Sequence, residues 1–175
     1  MDDVHTHVND GIRYLESGHN EKAAEAFLAA RRKDPASPEL AFNLGLARLR
    51  EGRCHDALKA FEEALDLGQS NADLLCNMGL ALFDLGRARE AEDWYRRALK
   101  LDPNHPEAAN NLGVVMFARS QFDEAKWYFE RAIQARPGYR DAWFNLRDVC
   151  DELDLPDEKE KAAAMVKSLN SANHL

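Results

Sequence analysis

Asparagine stands at residues 9, 43, 77, 111 and 145, five times at intervals of 34. Its side chain carries two N–H donors and a carbonyl acceptor, the groups that an extended peptide backbone offers in return. Asparagine is an indifferent helix former, so five in register within helices need a reason. One reading makes Asn9, Asn43, Asn77, Asn111 and Asn145 a ladder that holds the main chain of a bound segment; the other has each amide bond a neighbouring helix. Catalysis has no comparable pattern, because the chain lacks a Gly-rich phosphate loop, an HExxH helix and a nucleophile elbow, and it reads as a non-enzyme. His5 and His7 are two apart and on a helix do not face one another, while His19, His55 and His105 fall at or near turns, where solvated histidine is expected. Cys54, Cys76 and Cys150 show no CxxC or Cys/His spacing and read as free thiols, so neither a metal nor a cofactor is expected.

The elements that must position the amides follow the same period. Ala23/Phe27, Ala57/Phe61, Ala91/Tyr95 and Ala125/Phe129 are pairs four apart, each pair 34 residues after the last. A spacing of four stacks both members on one helix face. Gly11, Gly45, Gly79 and Gly113 form a second ladder, and Ala30, Ala64, Ala98 and Ala132 a third. Small residues let two antiparallel helices approach closely while the aromatic fills the space to the next pair. Ser37-Pro38-Glu39 reads as a cap, a first-turn proline and an acid, and Gly18, Gly52 and Gly86 mark the ends of first helices.

Together with Asn43-Leu44-Gly45, Asn111-Leu112-Gly113, Pro35, Pro103 and Pro137, these residues resemble the tetratricopeptide repeat over residues 4 to about 155. The resemblance implies an all-α fold, a right-handed α-solenoid of four helix–turn–helix repeats at 4–37, 38–71, 72–105 and 106–139. A degenerate fifth follows at 140–170, with Arg147 in place of the glycine and Ala162, Met165, Val166 and Leu169 as the apolar stripe of a capping helix. Residues 171–175 are expected to fray. Gly68-Gln69 replaces the usual Asp-Pro or Arg-Pro, so the exit from the second repeat must rely on glycine for chain reversal.

In such a solenoid the family resemblance implies that first helices line the concave side. At about 100° per residue, positions 2, 5, 6, 9, 12 and 13 of each repeat share one face, opposite the glycine. The amides occupy position 6. Adjacent helices stack ~8–10 Å apart and an extended chain rises ~3.3 Å per residue, so successive amides meet roughly every third residue of a bound strand. This is similar to the asparagine ladder in the repeat domain of the enzyme that attaches N-acetylglucosamine to proteins, where those amides hold the substrate's main chain. Each bond contributes only ~0.5–1.5 kcal/mol net, so selectivity falls to the flanking positions. Position 9 offers Ile12, Leu46, Leu80 and Val114, and position 12 offers Leu15, Leu49, Phe83 and Phe117, with Phe83 and Phe117 as the preferred exposed anchors. Burial between neighbouring helices is the alternative for these apolar positions.

Acids recur at position 2 as Glu39, Asp73, Glu107 and Asp141, where they complement the helix dipole; Glu16, Asp84, Asp148, Asp151 and Glu152 lie further along the face and favour neutral or basic ligands. Modules of the family that clamp acidic chaperone tails use lysine at position 5 and asparagine at position 9 of the first repeat. Val8 and Ile12 stand there in this chain.

Thirty-one acidic against 23 basic residues give a net charge of −8, which disfavours phosphate-backbone binding. Arg31-Arg32-Lys33, Arg96-Arg97, Lys100 and Arg131 fall near the ends of second helices and are not taken as a nucleic-acid patch. The acidic start Met1-Asp2-Asp3-Val4-His5 does not read as a secretory signal, and no apolar run approaches the ~20 residues that span a bilayer. A cytoplasmic interaction module without nucleic-acid or membrane partners is the expectation, its groove holding a protein or peptide segment. A self-assembling homo-oligomeric scaffold is the alternative.

Overall fold

The computed structural model describes residues 4–172, which form ten helices and no strand. In chain order they are α1 (Val4–Glu16), α2 (Asn20–Arg31), α3 (Pro38–Arg50), α4 (Cys54–Asp66), α5 (Ala72–Asp84), α6 (Ala88–Leu101), α7 (Pro106–Ala118), α8 (Phe122–Ala135), α9 (Arg140–Glu152) and α10 (Pro156–Ala172). The odd-numbered helices begin at residues 4, 38, 72, 106 and 140, again 34 apart. The last helix includes Ser171, whose Oγ donates to the Lys167 carbonyl at 3.1 Å; residues 173–175 of the expected frayed tail lie outside the described residues.

Local chemistry sets the helix ends. Ser37 Oγ accepts from the Leu40 N–H, and Asn71 Oδ1 from the Leu74 N–H at 2.8 Å, so α3 and α5 each start on a side-chain cap. His105 caps α7 in the same way, its Nδ1 accepting from the Ala108 N–H at 3.1 Å. That corrects the solvated histidine expected there: the ring is buried because capping draws it against the first turn. Every odd helix closes on a left-handed residue, with Gly18, Gly52 and Gly86 at φ near +75° and Ser120 and Asp154 at φ 58° and 53°. The following N–H reaches back five residues in each, as Arg53 does to Arg48 and Gln121 to Met116, which satisfies carbonyls the helix leaves open. At the irregular exit of the second repeat Gly68 takes φ +99°, a conformation L side chains avoid.

The chain divides into two compact units, Met1–Trp94 and Tyr95–Leu175, the boundary falling inside α6. In the N-terminal unit, Phe27 lies under Gly11 and Phe61 under Gly45: a Cβ at Gly45 would sit 2.4 Å from the Phe61 ring. Its core gathers Ala23, Ala24, Phe27, Ala30, Leu40 and Leu44. In the C-terminal unit Phe129 meets Gly113 in the same way, at 2.6 Å from the Cβ position. There Ala109, Ala132 and Ala142 pack with Leu99, Ile133 and Tyr139.

The closing helix α10 buries Ala162 and half-buries Met165, Val166 and Leu169. Lys126 on α8 fastens it electrostatically, pairing with Glu130 at 3.0 Å and Glu158 at 2.8 Å. Those two carboxylates hold the ammonium in its charged form well above the ordinary lysine range. Beneath them burial pushes the Cys150 thiol up, so it stays protonated and inert. Among the described residues no helix is long and apolar enough to cross a membrane.

Candidate functional site

The face opposite the packed glycines carries the expected site residues, and it is described unit by unit. In the N-terminal unit Asn9 on α1 is exposed and Asn43 on α3 half-buried. Asn77 on α5 is turned partly onto its own helix: its Nδ2 donates to the Asp73 carbonyl at 2.8 Å, leaving the amide oxygen and one N–H. Leu49 and Phe83 at position 12 are half-buried, so Phe83 is not the exposed anchor its position promised. Asp84, the last residue of α5, lies in the open, yet burial of its surroundings holds the carboxyl above the usual aspartate range. The neighbouring Cys54 thiol is pushed up by burial and by the Asp84 charge.

In the C-terminal unit Asn145 Nδ2 donates to Asn110 Oδ1 at 2.8 Å, and Asn110 Nδ2 donates to Asn111 Oδ1 at 3.3 Å. Asn110 is 5% exposed and ties α9 to α7. Sequence reasoning missed it. The available signal was that position 5 is apolar in the other repeats, as Val8, Phe42, Cys76 and Phe144, and polar only here. A buried amide there demands a partner, and the position-6 amides supply one. Two of the five amides thus brace the scaffold through Asn110, and Asn77 bonds its own helix.

Sharing Asn145 with that brace, Val114 and Phe117 of α7, Phe129 of α8, and Asn145 and Asp148 of α9 line a cavity of about 80 Å³. Phe117 is half-buried rather than exposed because its ring meets Phe122 edge-on at 5.4 Å. Phe144, one residue before Asn145, is 44% exposed, with the Arg147 guanidinium 4.0 Å from its ring centre. The same guanidinium reaches Asp148 at 2.6 Å, so the arginine that replaces the glycine tethers the acid at the cavity's rim.

Three of the first-turn acids are engaged by the chain's own groups. Glu107 pairs with Arg136 at 2.5 Å, Asp141 with Arg140 at 3.4 Å, and Glu39 accepts from Ser37 Oγ at 3.1 Å. Among the described residues no cluster of three or more His, Cys, Asp and Glu could hold a metal ion.

A tetratricopeptide repeat model matches residues 9–72, 42–106 and 76–139. No curated protein matches the chain. Among solved structures it is similar to MamA, at 22% identity over 97% of this chain and 93% of that one, with a TM-score of 0.73. A second is PilF of Pseudomonas aeruginosa, at 22% identity, 94% and 75% coverage and a TM-score of 0.83. A third is YrrB, described as a TPR protein with an unusual peptide-binding site, at 21% identity, 96% and 87% coverage and a TM-score of 0.67. These structural likenesses concern the fold. With three overlapping matches running from residue 9 to 139, helix starts every 34 residues and glycines seated on buried aromatic rings, the chain belongs to the tetratricopeptide repeat family.

Proposed function

We propose that this chain is a non-enzymatic interaction module that takes an extended segment of a partner protein on the face of its odd-numbered helices. Proteins of this fold generally mediate protein–protein interactions. The observation that carries the reading is the cavity of Val114, Phe117, Asn145 and Asp148, where expected apolar, amide and acidic positions converge in the C-terminal unit. Asn145 is held from behind by Asn110, so its carbonyl is oriented in advance toward a ligand's N–H and little ordering entropy is lost on binding. Val114 and Phe117 receive an apolar side chain, and Asp148 favours a neutral or basic segment over an acidic one. In the N-terminal unit Asn9 and Asn43 serve as amide contacts, Asn77 offers what its internal bond leaves, and Leu49, Phe83 and Asp84 flank them. Three buried free thiols suit the reducing cytoplasm.

Peptides selected from a random display library against the full chain supply the test. Asn43→Ala should weaken their binding about 2–12-fold, the equivalent of ~0.5–1.5 kcal/mol, and Asp148→Lys should abolish selection of basic peptides, both with unchanged Tm. Wild-type affinity in both variants would exclude this face. A second copy of the chain is the other candidate occupant, favoured by the exposed Ile12 and Phe144 on the same helix faces. Mass in solution across a dilution series distinguishes the two.

A further inference from the structure

A different cavity, of about 220 Å³, opens in the C-terminal unit between the end of α6 and α8, lined by Arg96, Leu99, Lys100, Leu112, Tyr128 and Arg131. It lies away from the candidate peptide face. Its floor residue Leu112 and the peptide-face residues Val114 and Phe117 share α7, and at about 100° per residue the latter two point roughly 160° and 140° away from Leu112 around that helix. We infer that this pocket binds an oxyanion, a phosphate monoester or a carboxylate, presented by a partner protein.

Three of the six lining residues are cations and none is an acid, in a chain of net charge −8. Helix-dipole compensation accounts for Lys100 in the last turn of α6. It does not account for Arg96 or Arg131, which lie five and four residues before the ends of α6 and α8, where the dipole effect has faded. Arg131 is also aimed. Its Nη2 donates to the Pro103 carbonyl at 2.5 Å and its guanidinium lies 4.7 Å from the Trp127 ring centre, so two neutral groups hold it in place and, among the described residues, no carboxylate pairs with it. Arg96 Nη1 donates to the Tyr128 hydroxyl at 3.3 Å, which fixes a second guanidinium and leaves the phenol proton directed elsewhere. Planar guanidinium forks suit the paired oxygens of phosphate or carboxylate, and charge-assisted bonds of this kind are roughly twice as strong as neutral ones. The apolar floor of Leu99 and Leu112 keeps the site small and one-sided. A nucleic-acid strand would meet the repulsion of the whole acidic molecule, whereas a single anionic side chain meets chiefly the local field.

The test is an NMR titration of the full chain with O-phosphoserine, with N-acetylaspartate, with a single-stranded oligonucleotide and with sodium chloride at matched ionic strength, following the Trp127 indole signal in every variant and the Arg131 Nε–H signal where arginine is present. Saturable shifts with phosphoserine or N-acetylaspartate are expected, at least tenfold weaker in Arg131→Gln and at least threefold weaker in Lys100→Gln. Lys100 is exposed and has no partner among the described residues, so its replacement leaves the fold intact. The tighter of the two probes identifies the source, a phosphorylated or an acidic segment. Shifts that merely follow chloride, equal affinity in both variants, or preferential variant-sensitive binding of a single-stranded oligonucleotide would each overturn the assignment.

Discussion

At Asp84 partial burial strips water from the carboxylate, and the group is also the last residue of α5, where the negative end of the helix dipole adds nothing to favour its charge. Its pKa in the folded chain therefore lies above the unfolded value. A folded state that binds the proton more tightly loses stability as pH rises through that interval, so ionised Asp84 lowers stability at neutral pH. Asp84→Asn should raise the Tm at pH 7, and the gain should vanish as pH falls below about 3.9, where an unfolded aspartate protonates. Thermal melts at pH 3 and pH 7 check this; an equal Tm at pH 7 would refute it. Ser120 shows a different residue-scale conflict. It occupies the left-handed position that glycine holds in the first three repeats, and an L side chain there costs about 1–2 kcal/mol. Glycine offsets part of that by its freer unfolded state, so Ser120→Gly should stabilise by about 0.5–1 kcal/mol in urea unfolding.

Between elements, the glycine and aromatic ladders set how closely each helix pair approaches. Helix propensity alone favours Gly45→Ala by about 1 kcal/mol. The new methyl, however, would stand 2.4 Å from a fully buried Phe61 ring, and overpacking of this kind costs about 1–3 kcal/mol. The clash should win, so Gly45→Ala unfolds at lower urea. Combined with Phe61→Leu, it should cost less than the two single changes summed, and strict additivity would contradict the contact. These ladders were legible in the sequence because both partners recur at a fixed period. The Lys126 clamp on α10 was not, since Glu158 lies 32 residues away and belongs to no repeat pattern. The left-handed turns after α7 and α9 were hidden as well: serine and aspartate stand there, and neither announces positive φ as glycine does.

Across the whole molecule, periodicity made the fold readable from end to end, while the chemistry of its surface was readable only in part. Positions 6, 9 and 12 indicated which residues share a helix face, and Val114, Phe117 and Asn145 do line one cavity. What Asn111 and Asn145 bond was beyond the pattern, because it depends on Asn110, a single buried departure at position 5. The five amides are also unequal: Asn9 and Asn43 make no side-chain bond among the described residues, while Asn77, Asn111 and Asn145 partly serve the scaffold. In the C-terminal unit, binding should therefore draw more on apolar burial at Phe117 and Val114 than on the Asn145 amide.

The most direct measurement is a set of intermolecular NOEs between the methyl groups of the full chain and an unlabelled peptide selected against it. Cross-peaks from the Val114 methyls, together with perturbed Asn145 side-chain amide signals, are the predicted result. A tightly bound peptide with no contact to Val114 and an unmoved Asn145 amide would contradict recognition on this face.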